Sequence, residues 1–413
     1  MLINSLVSHF YLMKFLLLFL LLITTNALAS QDDDFLAARD AFRAGDAAKL
    51  STLALRLQHS PLEVYTAYYQ LKMRLDTIDP GVIREYLARP DDTPLIDRMR
   101  ADWLRILGKK QQWELFDSEY PRLISEDAEL TCYALQSRLR SQETSVLREA
   151  RELWFSAKDQ PESCAVLFEM AIVAGVISQQ DIWQRERMAL EAVNVQLAKS
   201  LAVRLTGNRA ISPAALDRAM SDPARYLEKL TPDSQGGRAV ALFALQRLAH
   251  QSPDLALGRW KNMAVHFTDV EQHYFLGWLA YEAARKHDAR ALQWFKEAGN
   301  TQLNPLQFAW RVRAALRVQD WPDVLSAINA MNEVQRGEAV WRYWRARALQ
   351  VSGHRAEAVK IFVPLSAEHT FYGQLAAEEL ADMPMLSAVQ PAYQATRQDI
   401  AAIEQLPGVR RTL

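Results

Sequence analysis

Thr93-Pro-Leu-Ile-Asp-Arg-Met-Arg-Ala-Asp-Trp-Leu-Arg-Ile-Leu-Gly108 reads as a single amphipathic helix with its start and stop written in. A hydroxyl side chain stands before a proline, the pairing that opens a helix: the hydroxyl accepts a free backbone N–H, and the proline ring fixes the first helical φ. Leu95, Met99, Trp103, Ile106 and Leu107 then fall on one face, with Asp97, Arg98, Arg100 and Arg105 elsewhere. Gly108 is expected to end the helix. A second apolar stripe, Trp113, Phe116 and Tyr120, follows before Pro121.

The same opening recurs along the chain. Of 16 prolines, eight follow a capping residue: Ser60-Pro61, Asp79-Pro80, Thr93-Pro94, Ser212-Pro213, Asp222-Pro223, Thr231-Pro232, Ser252-Pro253 and Asn304-Pro305. Each predicts a helix start, and Ser60-Pro61-Leu62-Glu63 adds the Glu of a capping box. Half the residues are hydrophobic and only 14 are glycine, and no stretch alternates long enough to argue for a strand. Trp310-Arg-Val-Arg-Ala-Ala-Leu316 and Trp344-Arg-Ala-Arg-Ala-Leu349 start alike, about one tetratricopeptide period apart, and each is followed by an apolar residue of a second helix, Ile328 and Phe362. Gly353 lies at the turn of the later unit, with Ala356 and Ala358 beyond it. Gly277-Trp-Leu-Ala-Tyr281, with Ala291, Phe295 and Ala298, has the same form. A helix hairpin cannot bury its apolar face alone, so neighbours must stack. The expected fold is all-α: a superhelical α-solenoid of helix hairpins, tetratricopeptide-like in part, curved or ring-shaped.

The amino terminus predicts export. Lys14 is followed by an apolar run from Phe15 to Ile23 and then by Ala27-Leu28-Ala29, which reads as a signal peptide over 1–29 cleaved before Ser30. The run is shorter than a spanning helix requires, so no membrane attachment is expected after cleavage. Met13 is an alternative start. Removing 1–29 takes away one base and no acid, leaving 47 basic against 49 acidic side chains. A balance so even does not suit a nucleic-acid partner. The two cysteines, Cys132 and Cys164, fit no metal spacing. In an oxidising compartment they are either bridged, stapling two successive hairpins, or two buried free thiols.

Several stretches resemble the amino-terminal superhelical region of soluble lytic murein transglycosylases: Phe35-Leu-Ala-Ala-Arg-Asp-Ala-Phe-Arg-Ala-Gly45, the helix from Pro94 to Gly108, and Cys132-Tyr-Ala-Leu-Gln136. Phe371-Tyr-Gly-Gln-Leu-Ala-Ala-Glu-Glu-Leu380 and Leu406-Pro-Gly-Val-Arg-Arg411 resemble the start of that family's linker domain. The resemblance implies a Cys132–Cys164 disulfide and a periplasmic location. It divides the chain into a superhelical domain over 30–369 and a linker-domain start over 370–413. In the family a carboxyl-terminal lysozyme-like domain cleaves the β-1,4 bond between N-acetylmuramic acid and N-acetylglucosamine without water, leaving a 1,6-anhydro product.

The family's catalytic Glu stands in Glu-Ser, followed by Gly-Leu-Met-Gln. This sequence has no Gly-Leu-Met-Gln, and its one Glu-Ser, Glu162-Ser163, sits beside Cys164. No catalytic residue is therefore assigned. Glu378-Glu379 reads as one solvated face, because adjacent helical residues point about 100° apart. His266, Asp269 and His273 lack a nearby third histidine or cysteine, so no metal is expected, and no cofactor loop occurs. Seven of the eleven tryptophans lie between 260 and 344 and are read as packing residues rather than a glycan platform. Thr396 to Leu406 reads as a helix with Ile400, Ile403 and Leu406 on one stripe, and Val409 with Leu413 as a further helix beginning. The expectation is the scaffold part of a transglycosylase, inactive by itself, with peptidoglycan glycan strands and other cell-wall enzymes as partners. The competing expectation is a stand-alone periplasmic interaction or glycan-binding module.

Overall fold

The computed structural model describes residues 31–90, 93–141, 145–300, 303–381 and 395–412. The signal-cleavage residues Ala27, Ala29 and Ser30 lie outside them. Among the described residues all regular structure is helical. In chain order the α-helices are α1 Gln31–Ala44, α2 Ala47–Arg56, α3 Glu63–Arg74, α4 Pro80–Leu87, α5 Pro94–Lys109, α6 Trp113–Glu119, α7 Ala128–Arg140, α8 Val146–Trp154 and α9 Ala165–Val173. They continue with α10 Gln179–Glu191, α11 Val195–Ala202, α12 Pro213–Ser221, α13 Pro223–Tyr226, α14 Gln235–Gln251, α15 Pro253–Met263, α16 Asp269–Arg285 and α17 Ala291–Ala298. The last are α18 Pro305–Arg317, α19 Trp321–Ala330, α20 Glu333–Arg336, α21 Ala339–Val351, α22 Arg355–Ser366, α23 Phe371–Ala381, α24 Arg397–Glu404 and α25 Pro407–Arg410.

Six of the eight proline signatures open helices as read: Asp79, Thr93, Ser212, Asp222, Ser252 and Asn304 each accept a backbone N–H with proline in the first turn. Two do not. After Ser60-Pro61 the helix waits until Glu63, and the Glu63 carboxylate pairs with Arg89 instead of closing a capping box. After Thr231-Pro232 the cap is Ser234, whose hydroxyl accepts from Gly237 N. Gly108 also behaves differently from its expected role. Helix α5 runs through it to Lys109, and a Cβ there would come within 2.4 Å of the Tyr133 ring. Its glycine permits close helix contact rather than a stop.

Most hairpins turn in one way. The residue after the helix cap takes a left-handed φ, and the next backbone N–H reaches back to a carbonyl five residues earlier. Asp46 N bonds Ala41 O, Gln112 N bonds Leu107 O, Asn194 N bonds Ala189 O, Asp288 N bonds Ala283 O, Asp320 N bonds Ala315 O and His354 N bonds Leu349 O. The left-handed residue is glycine at Gly45 and Gly353, as the pattern would suggest. It is Gln111, Val193, His287 or Gln319 in the others, with φ of 56–61°.

The chain divides into two compact units. One holds the described residues of 1–146, 161–167 and 393–413. Its core gathers Met99, Trp103, Leu104, Leu107, Phe116 and Leu130, with a smaller cluster of Ala38, Leu50, Leu53 and Leu57. Cys132 of α7 is bridged to Cys164, which closes a 3-10 turn over Glu162–Cys164, with Cα atoms 5.1 Å apart. In this unit α24 is capped by a Thr396–Asp399 box, but its apolar stripe is not buried: Ile400, Ile403 and Leu406 are each about half exposed. Pro407–Arg410 forms one further helical turn.

The second unit covers the described residues of 147–160 and 168–392. Its hairpins α16–α17, α18–α19 and α21–α22 are the three repeats read from the sequence, and Ile328 and Phe362 are fully buried. The Phe371–Ala381 helix packs on α22 as another layer, through Tyr372, Leu375 and Ala376. Within α18–α19 a buried Arg311 grips Asp323 with two guanidinium nitrogens.

Candidate functional site

Three helices of the second unit frame one recess. Helix α10 starts at a Ser178–Asp181 capping box, α14 at Ser234 and α16 at a Thr268–Glu271 box. Fixed by those caps, α10 presents two adjacent stripes. Ile182, Glu186 and Leu190 follow i, i+4, i+8 into the core, and Trp183 and Arg187 run beside them. The recess encloses about 210 Å³ between Trp183, Arg187 and Leu190 of α10, Gln235, Arg238, Leu242, Phe243 and Gln246 of α14, and Val270, Glu271 and Tyr274 of α16.

Its charges are held in place. The Glu271 carboxylate accepts Thr268 N at 2.9 Å and Arg238 Nε at 2.9 and 3.0 Å, so one side chain caps its helix and orients a guanidinium. Arg187 lies over the half-buried Tyr274 ring, 4.8 Å from its centre. Gln246 Nε2 donates to the Glu191 carbonyl at 3.2 Å, and Arg209, bonded to Gln235, lies over the Trp183 ring. Burial pushes the Glu191 carboxyl up, with Arg187, Tyr274 and Asn304 beside it opposing that rise. Burial, and then the Glu191 charge, push the Tyr274 hydroxyl well above its ordinary value. Glu186 is the extreme case. It is 0% exposed, neither carboxyl oxygen has a partner, and burial raises it to about 8 against the pull of Arg187.

Chemically this is a place to bind. It offers a guanidinium, an aromatic ring and two carboxamides above an apolar floor. The Glu186 carboxyl holds its proton near neutral pH but is sealed from any ligand. None of these residues stood out in the sequence as a site. The one available signal was Glu186 itself, an acid within an apolar stripe between Ile182 and Leu190.

The residues singled out from sequence lie elsewhere. Glu162 is exposed on its 3-10 turn, and the Ser163 hydroxyl donates to Glu129 O. Glu378 is exposed, but Glu379 is not merely solvated: its oxygens accept from Tyr343 at 3.2 Å and Arg347 at 2.7 Å, because α23 packs along α21. His266, Asp269 and His273 are all exposed, and among the described residues no three such side chains gather as a metal site. Of the seven tryptophans between 260 and 344, Trp260, Trp278, Trp294 and Trp341 are buried and Trp310, Trp321 and Trp344 are half-buried. No helix among the described residues is long and apolar enough to cross a membrane.

No family model matches the chain. The soluble lytic murein transglycosylase of Escherichia coli K12 is 23% identical over 344 residues, 79% of this chain and 51% of that protein. The Salmonella typhimurium protein of the same description is 22% identical over 336 residues. The structure of an inactive mutant of the lytic transglycosylase Slt from Pseudomonas aeruginosa superposes with a TM-score of 0.59 at 27% identity, over 91% of this chain and 61% of that one. This chain is homologous to the soluble lytic murein transglycosylases. It spans about half the length of the curated transglycosylases it matches. The 70-kDa soluble lytic transglycosylase of Escherichia coli shares the fold at 19% identity, with a TM-score of 0.53 over 93% of this chain.

Proposed function

We propose that this chain is the superhelical scaffold region of a periplasmic lytic murein transglycosylase, exported by cleavage between Ala29 and Ser30. Residues 30–369 form the superhelical domain and 370–413 the start of the linker domain. The substrate of the whole enzyme is peptidoglycan. These residues hold glycan strands or fellow cell-wall enzymes, and bond cleavage is not theirs. The observation that carries the reading is the homology over 344 residues, aligned with about half of each relative's length. Cleaving a glycosidic bond also requires a carboxyl that both reaches the leaving oxygen and holds a proton. Glu186, whose carboxyl burial raises to about 8, is sealed. The test incubates the chain with purified sacculi and follows 1,6-anhydromuropeptides by chromatography. Binding without their release is expected. Release above a buffer control, surviving Glu162→Gln, overturns the reading. Mass spectrometry of exported protein should give Ser30 first, and a retained Phe15–Ile23 run would count against export by cleavage.

The second reading, a stand-alone periplasmic module, is favoured by the framed recess, which needs no catalytic partner. The downstream reading frame separates the two. An encoded Glu-Ser with Gly-Leu-Met-Gln beyond Leu413 supports the enzyme, and its absence supports the module.

A further inference from the structure

We propose that the recess between α10, α14 and α16 binds the free carboxylate of a small amphipathic ligand, such as the carboxyl-terminal end of a short peptide, on the Arg187 guanidinium. Three observations point there. First, the two cations of the recess are used differently. Arg238 is held on both oxygens of Glu271, whereas Arg187 makes no ion pair among the described residues and rests on the Tyr274 ring. A guanidinium parked on an aromatic face is oriented yet keeps its N–H fork free, the geometry that grips a planar two-oxygen anion. Second, one of the neighbouring acids is already taken. Glu271 is occupied by Arg238 and its own helix cap. Burial pushes both the Glu186 and the Glu191 carboxyl up, with the Arg187 charge opposing each rise. Third, the remaining wall is of mixed character. Leu242 and Phe243 supply an apolar floor, and Gln235 and Gln246 supply carboxamides. At about 210 Å³ the space suits one or two residues of a peptide rather than a folded partner.

Arg187 acts on Glu186 and Glu191 through its charge and donates a hydrogen bond to neither. The Glu186 oxygens have no hydrogen-bond partner, so the Arg187 N–H groups are not spent there. Structural arginines nearby behave otherwise: Arg185 donates to Ser156 O and stacks on Trp154, tying α10 to the preceding segment.

The test titrates the whole chain with N-acetyl-D-Ala-D-Ala and, separately, with its carboxyl-terminal amide, reading indole and arginine side-chain resonances by NMR. The acid should bind with a dissociation constant on the order of 1 mM and shift the Trp183 indole signal, while the amide binds about tenfold more weakly or worse. Arg187→Gln should abolish the difference between acid and amide, whereas Arg187→Lys retains part of it. Equal affinity for acid and amide, no shift at the Trp183 indole, or an unchanged titration in a folded Arg187→Gln protein would each overturn the assignment. The outcome is independent of the sacculus assay, so a failure here leaves the transglycosylase reading standing, and the reverse also holds.

Discussion

Replacing Glu186 should reshape the pH dependence of stability of the second unit. The carboxyl is fully buried and without a partner, and its folded value is about 8 against 4.5 for the ordinary group. Between those two values the folded protein keeps a proton that the unfolded chain has released. Stability therefore falls as pH rises from the lower value and levels off above the upper one. Integrated from about pH 5 to about pH 8, the linkage amounts to about 3.5 kcal/mol as an upper bound, since local relaxation reduces it. Glu186→Leu removes the titration and fills the site with carbon. At about pH 5 the variant should differ little from the parent, and at about pH 8 it should be more stable by about 2–3 kcal/mol. Urea unfolding at a series of pH values, monitored by far-UV circular dichroism, measures both. Parallel stability profiles for parent and variant would show that Glu186 is ionised and satisfied at neutral pH, and the reasoning from its isolation would fail.

Breaking the Cys132–Cys164 bridge by Cys164→Ser should cost about 3.7 kcal/mol in the chain-entropy account of a loop this long. Denaturant midpoints before and after reduction check it, and both thiols alkylating in unreduced, denatured protein would disprove the bridge. Val193→Gly should stabilise the α10–α11 hairpin by about 1 kcal/mol, because a β-branched residue is held at φ 60° there. A lowered thermal midpoint would contradict it. Arg311→Met alone should cost about 3–5 kcal/mol by leaving Asp323 buried and unpaired, while Arg311→Met with Asp323→Leu recovers most of the loss. A double variant as unstable as the single one would rule this out.

Much of the fold was legible because its signals are local. A hydroxyl, carboxylate or carboxamide before proline marked six helix starts, and Trp310 and Trp344 disclosed hairpins whose second helices bury Ile328 and Phe362. The failures come from contacts at a distance. Glu63 could have closed a box on Ser60 but found Arg89. Gly108 looked like a stop and instead makes room for Tyr133, a residue of another helix. Ile400, Ile403 and Leu406 satisfy the period of a buried stripe yet stand exposed, since periodicity tells which residues share a face and not what covers it. The recess was illegible for the same reason. Arg187, Arg238 and Tyr274 come from three helices spread over nearly ninety residues, and nothing in their local spacing joins them. Only the acid in the stripe of Ile182 and Leu190 broke a local rule, and it marks the region without defining its ligand.

The recurring hairpin turn bears on how such a chain can change over time. Its geometry is set by backbone hydrogen bonds, Asn194 N to Ala189 O or Asp320 N to Ala315 O, and tolerates Gly, Gln, His or Val at the left-handed position. A joint specified by the main chain is nearly blind to the alphabet of side chains placed on it. Each residue at that position changes stability by about 1–2 kcal/mol, an increment that neighbouring contacts can absorb, without altering the angle at which the next helix leaves. Replacement at those positions is therefore compatible with an unchanged bend. Recognition is carried by the side chains between the joints, which remain free to be rewritten.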